Sequence, residues 1–289
     1  MESKEDILSQ HPPRRRFLVC AAAGVASLAL ADMVSAMEAS LPTPDIARRR
    51  SPLSGLSDVL SGTQGSMKVV NYATYVQDGG RVGAARAEHQ IYADALREHD
   101  RLAIGGPLVD DNGQSRGVLL VYEVASKQQA ETLVRRDPFV VHGAIVDYRL
   151  DEWTVLNCNV ELLTASLVAA ENRVALKESH ARAAAVDSGI CPARTYVNYT
   201  RYVADRSRVE RATPAHRSYA RTLKANGTLI IAGPFADDSG ALLIYRARSK
   251  QDATALVLGD PYHAAGVVET YELWEWREFG LNVGLLQDS

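Results

Sequence analysis

Gly106-Pro107-Leu108-Val109-Asp110-Asp111-Asn112-Gly113 returns further along the chain as Gly233-Pro234-Phe235-Ala236-Asp237-Asp238-Ser239-Gly240, an offset of 233 − 106 = 127. Working outward from this pair, the same order of residues recurs on both sides. Upstream, Asn71-Tyr72 is repeated as Asn198-Tyr199 and His89-x-x-Tyr92 as His216-x-x-Tyr219. Downstream, Ser126-Lys127-Gln128 is repeated as Ser249-Lys250-Gln251, Asp137-Pro138-Phe139 as Asp260-Pro261-Tyr262, and Trp153 as Trp276. The offset falls to 260 − 137 = 123 at the aspartates, so a four-residue deletion follows Gly240. The repeat covers residues 71–153 and 198–276 and is a whole domain rather than a solenoid unit.

The elements inside each copy follow from local pattern. Val69 to Val76 is rich in β-branched and aromatic residues and predicts a strand. Arg81 to Asp100 has apolar positions at helical spacing and predicts a helix. Leu102 to Leu108 predicts a strand ending at Gly106-Pro107, and Asp110-Asp111-Asn112-Gly113 carries hairpin turn chemistry. Gly117 to Ala125 predicts the return strand, Lys127 to Arg136 a short helix, and Ala144 to Trp153 a last strand. The order β-α-β-β-α-β is the ferredoxin-like arrangement. In the second copy Thr213-Pro214 supplies a cap followed by proline, which predicts a helix starting near Pro214.

The rest of the 289-residue chain reads differently. Residues 1–36 hold Arg14-Arg15-Arg16, a short apolar run and Val34-Ser35-Ala36, the pattern of a twin-arginine export signal. The alternatives are an uncleaved anchor, a thylakoid-type segment or a tail, and the apolar run is too short for a confident membrane span. Residues 37–66 read as a tether, 67–156 as the first domain, 157–194 as a helical linker and 195–280 as the second domain. An exported chain would carry Cys158 and Cys191 into an oxidising compartment, where they could pair or remain free thiols. Hydrophobic residues make up 46% of the chain, enough for a core in each copy, and the net charge of −3 with both signs interspersed does not favour nucleic-acid binding.

One constellation carries possible chemistry: His89 with Asp137, and His216 with Asp260. A carboxylate beside an imidazole fixes its tautomer and raises its basicity, which suits a general base. The plainer reading is that each Asp-Pro is the cap of a short helix and each histidine a half-buried helix residue. Arg81, Arg208 and Arg86 could hold a substrate carboxylate, or be solvated charges at helix ends. Gly106-Pro107 and Gly233-Pro234, as turns, could direct backbone N–H groups toward developing negative charge. Tyr92 and Tyr219 could line a pocket, and Trp153 and Trp276 should pack at the end of the last strand. No cysteine and histidine spacing suggests a zinc site, and no phosphate-binding glycine loop is present, so no metal or cofactor is expected.

Taken together, the helix with His-x-x-Tyr, Gly-Pro-Leu-x-Asp-x-x-Gly, Ser-Lys-x-x-Ala and Asp-Pro-Phe-x-x-x-Gly ahead of a strand ending in Trp resembles the YCII-related domain family. The resemblance implies the dimeric α+β-barrel fold: here, two ferredoxin-like domains packed sheet-to-sheet within one chain as an internal pseudo-dimer. It also implies a His–Asp site, at His89/Asp137 and His216/Asp260, and lyase- or isomerase-type chemistry on a small molecule. The expectation is cofactor-free proton transfer on a small carbonyl or carboxylate compound, with a non-catalytic small-ligand-binding module as the alternative.

Overall fold

A computed structural model describes residue 60 and residues 67–159, 161–164, 193–277 and 279–287. The export-signal reading, nearly all of the tether, most of the linker and the pairing of Cys158 with Cys191 lie outside the described residues. No helix among the described residues is long and apolar enough to cross a membrane.

The first half runs β1 (Met67–Tyr75), α1 (Gly79–Glu98), β2 (Leu102–Val109), β3 (Ser115–Val124), α2 (Lys127–Arg136), α3 (Pro138–Val141), β4 (Ile145–Trp153) and a short β5 (Asn157–Cys158). The second half repeats it as β6 (Arg194–Tyr202), α4 (Arg206–Ala225), β7 (Leu229–Pro234), β8 (Gly240–Ala247), α5 (Lys250–Leu258), α6 (Pro261–Ala264), β9 (Val268–Trp276) and β10 (Phe279–Leu281). All pairings are antiparallel, and both halves contribute to one sheet with the order β4-β1-β3-β2-β9-β6-β8-β7-β5.

The sheet closes on itself. Leu108 and Val109 of β2 pair with Trp276 and Glu275 of β9. On the other side Trp153 forms a bridge with Phe235, and β5 pairs with β7. At these joins each half covers part of the edge that the other would expose.

Two-residue alternation divides each strand between two cores. In β3, Val118, Leu120, Tyr122 and Val124 face the helices of the first half. Leu119 and Val121 face inward and meet Val197, Tyr199, Ile231, Leu242 and Ile244 from the second half. In β8, Leu242 and Ile244 point inward while Leu243 and Tyr245 meet the helices of the second half. Both faces of the sheet are therefore buried, which explains runs such as Val118 to Val121 that are apolar without a break. This is the expected internal barrel of two ferredoxin-like domains.

Where the two halves meet, half-buried charges border the inner core. Tyr72 donates to Glu272 at 2.7 Å, and Arg149 binds the same carboxylate at 2.5 Å while lying over the rings of Tyr72 and Tyr199. Arg201 reaches Asp151 at 3.0 Å, and the Tyr199 hydroxyl donates to Asp151. Arg149 and Glu272 are equivalent positions, 272 − 149 = 123 residues apart. Equivalent positions of the two copies thus carry opposite charges that bind each other.

Two sequence expectations are corrected. The long helix of the second copy starts at Arg206, not near Pro214, which lies inside it. Asp205 caps it by accepting from Arg208 N at 3.1 Å, as Asp78 caps α1 through Gly80 N and Arg81 N. Gly106-Pro107 is not a turn: β2 runs through it to Val109, and Gly233-Pro234 forms the end of β7. Proline has no N–H to offer, and the Gly106 and Gly233 carbonyls accept from Trp276 Nε1 at 3.0 Å and Trp153 Nε1 at 2.9 Å. Each tryptophan therefore does more than pack. It ties its own half to the Gly-Pro strand of the other.

Candidate functional site

The repeated histidine and aspartate meet in both halves. His89 projects from the middle of α1, and Asp137 stands between α2 and α3. His89 Nδ1 lies 2.8 Å from Asp137 Oδ1 and 3.0 Å from Oδ2. Asp137 Oδ1 also accepts from Phe139 N at 2.8 Å, so the carboxylate is at once helix cap and histidine partner. The Phe139 ring stacks on the imidazole with centroids 4.1 Å apart. In the second half His216 Nδ1 lies 2.8 Å from both oxygens of Asp260, Tyr262 N donates to Asp260 Oδ1 at 3.0 Å, and the Tyr262 ring stacks on the imidazole at 4.0 Å. A backbone-held carboxylate accepts at Nδ1. In the neutral ring the proton then sits on Nδ1, and Nε2 is left as the basic nitrogen.

Each histidine lines a cavity. The first, of about 100 Å³, is bounded by His89, Tyr75, Arg86, Phe139, Gly106 and Pro107 among others. The second, of about 590 Å³, is bounded by the counterparts His216, Tyr202, Thr213, Tyr262, Gly233 and Pro234. Every residue lining the first has its repeat equivalent lining the second. The size difference has visible causes: Thr213 stands where Arg86 does, and Ala241 where Val118 does. The Thr213 and Tyr262 hydroxyls are 2.8 Å apart, which turns the tyrosine toward the helix. The His216 side chain is 18% exposed and His89 11%, in line with the wider second opening.

The tyrosines around the pair are held neutral. Burial, and secondly the charge of Asp137, push the Tyr75 phenol well above its ordinary value. Burial does the same for Tyr202, with Tyr262 and Asp260 adding to it. Tyr262 is also raised by burial, against the hydrogen bond with Thr213. No ionised phenol therefore stands beside either imidazole.

Other residues singled out from sequence are placed elsewhere. Tyr92 is fully buried and donates to Leu133 O at 2.8 Å, and Tyr219 donates to Leu256 O at 2.8 Å; both tie the long helix to the short one. Arg81 donates to Gly143 O and Arg208 to Gly266 O, near the ends of the short helices α3 and α6. None of these four is among the residues that line the cavities. Sequence reasoning alone misses Arg217, Arg221, Lys224 and Asn157, which line the second cavity. Among the described residues no group of three or more His, Cys, Asp or Glu side chains could hold a metal ion.

Fold and site together define a single-chain α+β barrel with a histidine–aspartate pair at a cavity in each half. The YCII-related domain model matches residues 67–154 and 194–277, more than half of the sequence, and the chain belongs to that family. Among solved structures, it is similar to a 5-chloro-2-hydroxyhydroquinone dehydrochlorinase from Burkholderia phenoliruptrix AC1100, at 22% identity and a TM-score of 0.28 over 30% of this chain and 94% of that one. It is similar to a chlorite dismutase variant from Candidatus Nitrospira defluvii, at 10% identity and a TM-score of 0.44 over 77% and 95%. A haem-binding protein from Thermus thermophilus matches at 11% identity and a TM-score of 0.42 over 74% and 92%. No curated protein matches the chain.

Proposed function

We propose that the chain is a cofactor-free enzyme of lyase or isomerase type, in which an imidazole moves a proton on a small carbonyl or carboxylate compound. The observation that carries this reading is the twofold geometry of the pair: Nδ1 at 2.8 Å from a carboxylate that a backbone N–H holds in place, once in each half. In this reading Nε2 of His216 or His89 takes a proton from a carbon made acidic by a neighbouring carbonyl. Asp260 or Asp137 keeps the ring in the right tautomer and stabilises the imidazolium that forms. The proton then returns to another carbon, giving an isomer, or a leaving group departs from the adjacent carbon, giving an alkene and the released anion. Tyr262 and Phe139, stacked on the rings, hold the imidazole plane.

The test is solvent exchange. Small ketones and keto acids are incubated with the protein in deuterium oxide, and incorporation at the acidic carbon is followed by NMR. Wild type should promote exchange, and the H89A/H216A double variant should lose about 10²–10⁴-fold of the rate while keeping its circular dichroism spectrum. Exchange that survives in the double variant would remove the mechanism. Binding without exchange would favour a module that only holds its ligand.

A further inference from the structure

We propose that the second cavity is selective for an organic anion: an apolar ring system carrying a carboxylate, held by Arg217, Arg221 and Lys224 beside His216. Equivalent positions on α1 and α4 differ in charge. Gln90, Asp94 and Arg97 of the first copy correspond, 127 residues on, to Arg217, Arg221 and Lys224 (90 + 127 = 217, 94 + 127 = 221, 97 + 127 = 224). In the first copy Arg97 is bound by Asp94, so that stretch of helix is neutral. In the second, the amide and the acid have both become arginine, and three cations line the cavity on one helix face. Among the described residues none of the three has a carboxylate partner; Arg221 Nε reaches only Arg217 O, at 3.3 Å. Arg206 and Asp238, which also line the cavity, bind each other, and with Glu210 as the remaining acid of the lining the cations are still in excess.

The opposite wall is apolar, with Leu156, Leu229, Ala232 and Leu243. Asn157 lies there too, and its amide nitrogen and oxygen are buried with no hydrogen-bond partner among the described residues. A buried amide left unpaired carries a desolvation cost that a polar ligand group would relieve. A volume of about 590 Å³ admits a bicyclic ligand, and about 100 Å³ in the first half does not. Only the placing of the ligand's reactive carbon near His216 Nε2 rests on the proton-transfer reading. The charge preference rests on the cavity wall alone.

The experiment uses 2-naphthoate and 2-naphthamide, which share a ring system and differ in charge, with binding to the full chain followed by calorimetry. One naphthoate per chain should bind, about five- to tenfold more tightly than the amide, and the preference should shrink as salt is raised, because the cations are exposed and screened. R217Q/R221D, which writes the first copy's residues into the second, should abolish the preference. T213R/A241V should refill the cavity and abolish binding of both probes. H216A should retain the preference, which separates this proposal from the proton-transfer reading: solvent exchange can fail while anion selectivity stands, and the reverse. Equal affinity for the two probes, binding of neither, or a preference that survives R217Q/R221D would overturn the proposal.

Discussion

At the scale of single residues, the join between the halves is set by contacts that tolerate little change. A Cβ on Gly233 would lie 1.8 Å from Thr154 O, because the chain leaving β4 passes directly against it. G233A must therefore push two strands apart, and a loss of about 3 kcal/mol is expected in urea denaturation. Gly79, at the start of α1, has nothing within 4 Å of such a Cβ, so G79A should be neutral or raise stability by up to about 1 kcal/mol. W276F removes the buried indole donor to Gly106 O, for an expected cost of about 1–2 kcal/mol. A Trp276 variant as stable as wild type would show that the indole only fills space. The histidine–aspartate pair is legible in the sequence because both copies keep it in one order. The bond from Trp to Gly-Pro is not, since its partners are 170 residues apart and belong to different copies. The signal available is that both tryptophans stand at matching positions relative to both Gly-Pro sequences.

Among elements, α4 and the first hairpin show where local rules decide and where they are overridden. Pro214 suggests a helix start, yet the helix runs from Arg206 because Asp205 caps it and Ala212, Leu223 and the His216–Asp260 contact bind it along its length. The repeated cap, Asp78 and Asp205, is the better signal, and proline masks it. P214A restores an N–H inside the helix and should raise stability by about 1–3 kcal/mol, read from the denaturation midpoint; a loss would mean that the proline shapes the helix around His216. In the β2–β3 hairpin, turn chemistry is legible from Asp110 to Gly113, and Gly113 takes φ +77°. Asp110 accepts from Gln114 N at 2.9 Å and pairs with Arg116, and these interactions, the backbone bond foremost, hold its carboxyl below the ordinary value. A lowered folded-state value favours the ionised form, so its contribution is present above the unfolded aspartate range and is lost as pH falls through the folded value. Stability curves of wild type and D110N should therefore differ at neutral pH and converge in acid. Curves that stay parallel would remove this assignment. The cavity walls are the least legible feature. The charges at Arg217 and Arg221 are plain in the sequence, but local pattern does not say which helix face looks into the cavity.

For the whole molecule, the central question is whether the two halves are domains in the thermodynamic sense. Each has its own outer core between helices and sheet. The inner core belongs to neither: Val70, Leu119 and Val121 are buried against Val197, Leu242 and Ile244, and separating the halves would expose all of them. It would also leave Arg149 without Glu272 and Asp151 without Arg201. A half alone thus has one sheet face uncovered and unpaired edges on β2 and β4, the arrangement that duplication into one chain relieves. The opposite charges at equivalent positions 149 and 272 add direction to this, because two identical first halves would set arginine against arginine. The expected outcome is a single cooperative unfolding transition for residues 67–287. Hydrogen exchange should show β3 and β8 protected by similar free energies, and W276F should lower both together. If calorimetry resolves two transitions, or if the variant weakens protection in only one half, the shared core does not couple the halves and each cavity stands on its own domain.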